Sequence, residues 1–367
     1  MKRLIKKTLI IMALGIIFTG CQSNDDEVEI VKVWPKYSEE SDDPGSPNGF
    51  AAGRKVGMVT DVGGIDDESF NQSAWEGMQE LSSATGAEVG YVETASADDY
   101  KTNLQSLADE GNELCWGIGY ACADALKDCA AGNPEVHFAV VDNAFDEVPA
   151  NVTGVVFRAQ EPSFLVGYIA SMVSRSGKIG FVGGMKSETL DQFQYGYMAG
   201  ARYAANIVGK DIILKTEYID SFTDYEKGKA AAAKMYEDGC DVIFQAAGGA
   251  GIGVIDAAKN ARRYVIGVDR DQSYLAPKNV LTSALKNVSV AVERVSVSYL
   301  SGEDIGGRNL SFGLTEGAVG IPETHPNLRD EIYDSVLRLE DRIKSGELQV
   351  PANEEEYRQF ISDLEKE

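Results

Sequence analysis

From residue 54, short apolar runs alternate with longer amphipathic segments, and the alternation continues to residue 269. A brief apolar run bounded by turn residues reads as a buried strand. A longer segment with apolar residues every three or four positions reads as a helix. The first series predicts strands at 55–60, 88–93, 115–119 and 138–142, separated by helices at 72–85, 99–110 and 121–131. Trp75, Met78 and Leu81 share one face of the first helix; Tyr100, Leu104 and Leu107 share one face of the second, which Gly111 stops. A second series predicts strands at 178–183, 212–219, 241–246 and 264–269, with helices at 192–205, 225–238 and 252–261. Strands separated by helices pair in parallel and must be covered on both faces. Two such series imply an α/β protein with two doubly wound parallel-sheet lobes.

Parallel sheets present ligand-facing groups at the carboxyl ends of their strands. Here those ends carry Asp61, Tyr120, Asp142, Gly183-Gly184, Asp220, Gly248-Gly249 and Asp269. The densest stretch, Asp61-Val62-Gly63-Gly64-Ile65-Asp66-Asp67-Glu68-Ser69-Phe70-Asn71, runs from a strand end to a helix start. Asn71 offers a donor and an acceptor, which suits a heteroaromatic edge. Phe70 either stacks on a flat ligand or plugs the lobe core. Asp66 and Asp67 have a second role open to them as carboxylates capping the helix that follows. The glycines of 245–253 do not form a dinucleotide loop, because Val254 stands where a third glycine belongs. A tight turn that lets backbone amides approach a ligand is the reading that remains.

The flanks and composition narrow the field. Lys2, Arg3, Lys6 and Lys7 precede an apolar run at 9–18 and Phe18-Thr19-Gly20-Cys21, the pattern of a signal peptide at 1–20. The segment resembles a bacterial lipobox, with Cys21 as the lipidated residue and membrane anchor. Residues 21–53 are acidic and rich in Pro and Gly toward their end, a composition for a disordered tether. The net charge is −24, and with no basic stripe anywhere this excludes nucleic acid as a partner. Only two histidines occur, His137 and His325, so His-centred metal sites are disfavoured and both are read as structural. No metal or cofactor is expected. Cys115, Cys122, Cys129 and Cys240 lack zinc spacing. They read as buried thiols, with Cys115 and a helix cysteine as a disulfide candidate.

The D-x-G-G-x-x-D-x-S-F-N run resembles the hallmark of the basic membrane protein family of lipoproteins. So do Phe138–Asp142, Lys178–Gly184, Asp220-Ser221-Phe222-Thr223-Asp224, Gln245–Gly251, Ile266–Asp269 and Thr282–Lys286. The resemblance spans about 54–352. It implies a type I periplasmic-binding-protein fold with a three-strand hinge, lobe 1 taking 54–157 plus 271–305 and lobe 2 taking 158–270 plus 306–352, followed by an acidic tail at 353–367. It implies a monomeric substrate-binding protein of an ABC importer, not an enzyme, that closes on a purine nucleoside and delivers it to permease and ATPase subunits outside the cytoplasm. By matched position, Phe222 forms one face of an aromatic sandwich, with Phe70 or Tyr120 opposite. Asp142 and Asn71 hold the base, and Gly248, Asp269 and Lys286 grip the ribose. Asp61, at the same strand edge, is a further ligand-binding candidate. Two rivals stand beside this reading: a nucleoside-cleaving enzyme using Asp66 and Asp67, and a ligand sensor or adhesin on the same fold.

Overall fold

The strands predicted from the apolar runs form two separate sheets in the computed structural model, which describes residues 30–31 and 49–366. Lys55–Val59 (β2), Glu88–Val92 (β3), Leu114–Gly117 (β4), His137–Val141 (β5) and Val152–Phe157 (β6) belong to the first sheet. Ile30–Val31 (β1) and Arg308–Phe312 (β12) complete it in the order β1-β12-β6-β5-β4-β2-β3. The second sheet contains Lys178–Gly183 (β7), Ile213–Tyr218 (β8), Val242–Ala246 (β9), Tyr264–Asp269 (β10), Val280–Lys286 (β11) and Val319–Gly320 (β13), ordered β13-β11-β10-β9-β7-β8. The strands pair in parallel, except that β13 runs antiparallel to β11. Every residue of β5 and β9 is buried, so these inner strands read as unbroken apolar runs.

Phe70–Thr85 (α1), Tyr100–Asp109 (α2), Ala123–Gly132 (α3) and Val288–Leu300 (α8) cover the first sheet. Gln160–Val173 (α4), Glu188–Val208 (α5), Tyr225–Glu237 (α6), Gly251–Ala261 (α7) and Asp330–Lys344 (α9) cover the second. Local chemistry sets their ends. Gly86 adopts the left-handed conformation that stops α1, and the Asp224 carboxylate accepts from the Lys227 amide to start α6. Ser187 caps α5, so this helix begins four residues before the predicted start at 192. α4 and α5 pack with backbones nearly touching: a Cβ on Gly200 would lie 1.9 Å from the Phe164 carbonyl oxygen.

The chain crosses between lobes three times, but not where the resemblance put two of the crossings. β11 lies in the second sheet rather than lobe 1, and β12 lies in the first rather than lobe 2. The changeovers therefore follow Phe157, Lys286 and Phe312, directly after strand ends. A strand belongs to the sheet that satisfies its backbone, and a boundary drawn at residue 271 or 306 cannot show that pairing. Arg158 and Glu316 tie two crossings together: Arg158 pairs with Glu161 (2.7 Å) and with Glu316, which also accepts from the Gly313 amide (2.7 Å).

Other expectations are revised. The acidic segment at 353–367 contains a helix, Glu354–Leu364 (α10), capped by Asn353 and docked on the second lobe through Phe360 against Phe164 and Tyr357 against Tyr195. The four described cysteines are free and buried, so the disulfide candidate does not form. His137 bonds Thr153 (2.9 Å) and His325 stacks on Tyr333, both structural positions. The signal segment, Cys21 and nearly all of the tether lie outside the described residues. β1, within the expected tether, adds to the edge of the first sheet.

Candidate functional site

The carboxyl ends of the two sheets face one another, and between them lies a cavity of about 110 Å³. Asp61, Phe70, Tyr120 and Asp142 line it from the first lobe; Phe222, Gly248, Asp269 and Lys286 line it from the second. Eight of the nine sequence-derived candidates thus meet on one wall system, although they span more than two hundred residues of chain. The ninth, Asn71, is buried behind that wall. Its amide donates to Asp61 (2.7 Å) and Asp67 (3.1 Å), and its carbonyl accepts from the Asp61 amide (3.0 Å). Both donor hydrogens are therefore spent within the first lobe, and Asn71 holds Asp61 in place instead of facing the cavity.

The loop from β2 to α1 is built around two carboxylates. Asp67 accepts from the backbone amides of Ser69 (2.9 Å), Asn71 (2.8 Å) and Gln72 (3.1 Å), the otherwise unpaired donors at the start of α1. It is both a cap and part of the cavity lining. Asp61 accepts from the Gly63 amide (2.7 Å) and from Asn71. Burial pushes both carboxyls above their ordinary range, against the pull of those hydrogen bonds.

Two charged groups cross from one lobe to the other. Lys286, at the end of β11, is 2% exposed and pairs with Asp142, at the end of β5. Its ammonium sits 4.6 Å from the centre of the Phe70 ring and 5.2 Å from that of Phe157, a cation boxed by aromatic faces. Asp269, at the end of β10, accepts from the Ser69 hydroxyl of the opposite lobe. Burial pushes its carboxyl up to about 6; Asp67 and Asp142 add to the rise, and Lys286 and Ser69 oppose it. Asp142 and Asp269 also have φ of 64° and 63°, a left-handed backbone that non-glycine residues rarely adopt. They are turn residues and cavity residues at once, and the turn aims each carboxylate inward.

The aromatic walls have their own supports. A Cβ on Gly184 would lie 2.2 Å from Phe222 Cε1, so only glycine lets that ring lie against the β7 end. The Phe222 carbonyl accepts from the Ala250 amide (2.9 Å), which seats it on the Gly248–Gly249 turn. Phe70 projects from the first turn of α1 in the facing lobe, and Tyr120 from the β4 end.

A polar latch closes the rim. Glu68 accepts from Arg270 (3.4 Å) and from the Tyr274 hydroxyl, and its carbonyl accepts from Gln272 (2.9 Å). Arg270 also reaches Glu76 (2.5 Å). Glu68 and Glu76 belong to the first lobe, the other three to the second.

Sequence reasoning missed Ser69, Tyr100, Thr189 and Phe193 as contributors. Tyr100 fits the apolar face of α2, and Thr189 and Phe193 belong to the first turns of α5, whose start was set too late. The Ser187 cap was the available signal. Ser69 lies inside the quoted motif, but its partner is 200 residues away.

Comparison with known proteins agrees with this architecture. The family model Bmp, described as ABC transporter substrate-binding protein PnrA-like, matches residues 54–354. Basic membrane protein A1 of Borrelia garinii subsp. bavariensis is 40% identical over 363 residues, 98% of this chain and 99% of its own length. The CD4+ T-cell-stimulating antigen of Listeria innocua is 36% identical over 362 residues, covering 93% and 96%. Among solved structures, an ABC transporter system solute-binding protein from Aeropyrum pernix K1 superposes with a TM-score of 0.76 at 27% identity, over 85% of this chain and 98% of that one.

Proposed function

The chain belongs to the Bmp family of PnrA-like ABC-transporter substrate-binding proteins, and from that membership we propose that its ligand is a nucleoside, with a purine base preferred. The family gives an extracytoplasmic location, a small-molecule ligand and ABC-transporter subunits as partners. The observation that supports the nucleoside is the pairing of aromatic walls with inward-aimed carboxylates in one inter-lobe cavity. Phe70 and Phe222 offer flat apolar faces from opposite lobes, and stacking a base between such faces contributes about 1–3 kcal/mol. Asp142 takes the base edge. Asp61, held by Asn71, stands beside it. Asp269, Lys286 and the Gly248 turn take the ribose. A carboxylate enclosed in such a cavity accepts from vicinal hydroxyls with charge-assisted bonds of about 1.5–3 kcal/mol each.

Binding and release require no chemical step. The ligand bridges the lobes, stabilises the closed arrangement, and the closed protein docks on its permease. Cys21 carries the lipid that keeps the body, a monomer, at the membrane. The test is calorimetric titration of protein freed of copurified ligand against nucleosides, nucleobases, nucleotides and ribose. Submicromolar binding of purine nucleosides, lost in Asp269→Ala and absent for free ribose, supports the reading. Failure to bind any nucleoside overturns it. Assay of the same mixtures for free base detects any cleavage.

A further inference from the structure

We propose that the second lobe carries an anion site for closely spaced phosphate groups, at the end of its sheet opposite the ligand cleft. A cavity of about 940 Å³ opens there, ringed by Arg175, Lys259, Arg262, Arg263, Lys278 and Arg329. The chain bears 58 acidic residues against 34 basic ones, yet this rim gathers six cations. Lys259 pairs with Asp256 (2.8 Å), and among the described residues the other five have no ion-pair partner. The one acid lining the cavity, Asp241, spends its carboxylate on the Ser174 hydroxyl (2.6 Å) and on the amides of Arg175 and Ser176 (2.8 Å each). Among the described residues no ion pair neutralises the remaining cations.

Helix termini explain only part of the cluster. Lys259 and Arg262 sit at the carboxyl end of α7, and Arg175 follows α4, positions where the helix dipole favours a cation. Lys278 lies in the loop before β11 and gains nothing from a helix. Arg329 stands at the amino end of the 15-residue α9, where the dipole disfavours a cation and Asp330 and Glu331 already supply the first turn with negative charge. Cations gathered around one cavity repel one another, and a bound polyanion relieves that repulsion.

The site is independent of the cleft. Asp241, Tyr264 and Asn279 mark the amino ends of β9, β10 and β11, whereas the cleft residues lie at their carboxyl ends. A six-residue strand separates the two by about 20 Å. The ligand chemistry is phosphate groups set close together, either in a free polyphosphate or displayed on an anionic lipid surface.

The experiment titrates the full chain with inorganic tripolyphosphate and, in parallel, with phosphatidylglycerol and phosphatidylcholine vesicles. The double variant Lys278→Glu/Arg329→Glu, which breaks no ion pair among the described residues, is compared with wild type, and nucleoside titration is the control for folding. Binding at about 0.05 M salt that weakens toward about 0.15 M, and falls about tenfold or more in the variant, supports the site. Tripolyphosphate binding identifies free polyphosphate as a source; binding only to phosphatidylglycerol vesicles identifies the lipid surface. No binding to either probe at low salt, or binding that the variant changes by less than about twofold, overturns the proposal.

Discussion

Asp269→Asn is expected to make the empty protein more stable at neutral pH while destroying its grip on ligand. The wild-type carboxyl is buried and pushed up to about 6, from an ordinary value of 3.8. A folded-state value above the unfolded one means the folded chain holds this proton more tightly. Stability is therefore undiminished below about pH 4, falls as pH rises through the window from about 4 to 6, and bears the whole penalty above it. At 1.36 kcal/mol for each tenfold change, the full penalty is about 3 kcal/mol. By the same relation, about 1.4 kcal/mol of it accrues between about pH 5 and pH 7.5. An asparagine carries no charge at either pH and can still accept from Ser69, so the variant escapes the penalty. The assay is urea unfolding of both proteins at the two pH values without ligand. Titrating groups distant from Asp269 contribute equally to both proteins and cancel in the difference, whereas Asp67, Asp142 and Lys286, which act on it directly, remain part of the measured gap. The gap should widen in favour of the variant by about 1.4 kcal/mol at the higher pH. A gap that stays constant, or that favours wild type more at the higher pH, refutes the reasoning that Asp269 is ionised at a cost in the empty cleft.

Lys286→Met should leave the Asp142 carboxylate buried without its partner and lower stability by about 3–5 kcal/mol; the Asp142→Asn/Lys286→Met double variant should recover most of that loss in thermal unfolding. Gly184→Ala places a methyl within 2.2 Å of Phe222. The ring must swing away, so ligand affinity falls about tenfold by calorimetry with little change in melting temperature, stacking being worth about 1–3 kcal/mol. Glu68→Ala removes the acceptor shared by Arg270 and Tyr274. Discounted for the partial exposure of this rim, the loss is about 1–2 kcal/mol. It should appear as a larger radius of gyration of the empty protein in X-ray scattering and as weaker ligand binding.

The layered fold was legible because its signal is local. Five successive buried residues in β5, or the Tyr100, Leu104 and Leu107 stripe in α2, are patterns within one element, and burial on both faces of a parallel sheet leaves them few alternatives. Sheet membership of β11 and β12 was not legible, because each strand leads directly into a lobe crossing and its partner is fixed by backbone pairing at long range. α10 was missed for a different reason. Its acidic residues dominate the composition, while the docking rests on Tyr357 and Phe360, three positions apart on one helix face.

The site divides along the same line. Asp61, Asp142 and Asp269 were recognisable because a carboxylate at the carboxyl end of a parallel strand has few other uses, and each does reach the cavity. What each is bonded to was not recognisable. Asn71 has the chemistry of a ligand contact, yet it serves Asp61. Ser69 looks like a helix-start residue, yet it donates across the cleft to Asp269. Lys286 has the chemistry of a ribose contact, yet it is paired across the cleft with Asp142. All three differences arise where the lobes or loops fold back on one another, so the sequence identifies the groups at the cleft and only closure assigns their partners. The inter-lobe bonds involve the same carboxylates that the proposed ligand would occupy. Ligand binding would therefore exchange Ser69 and Lys286 contacts for its own hydroxyls and base edge, so affinity reflects the difference between two closed states and not the sum of the new contacts.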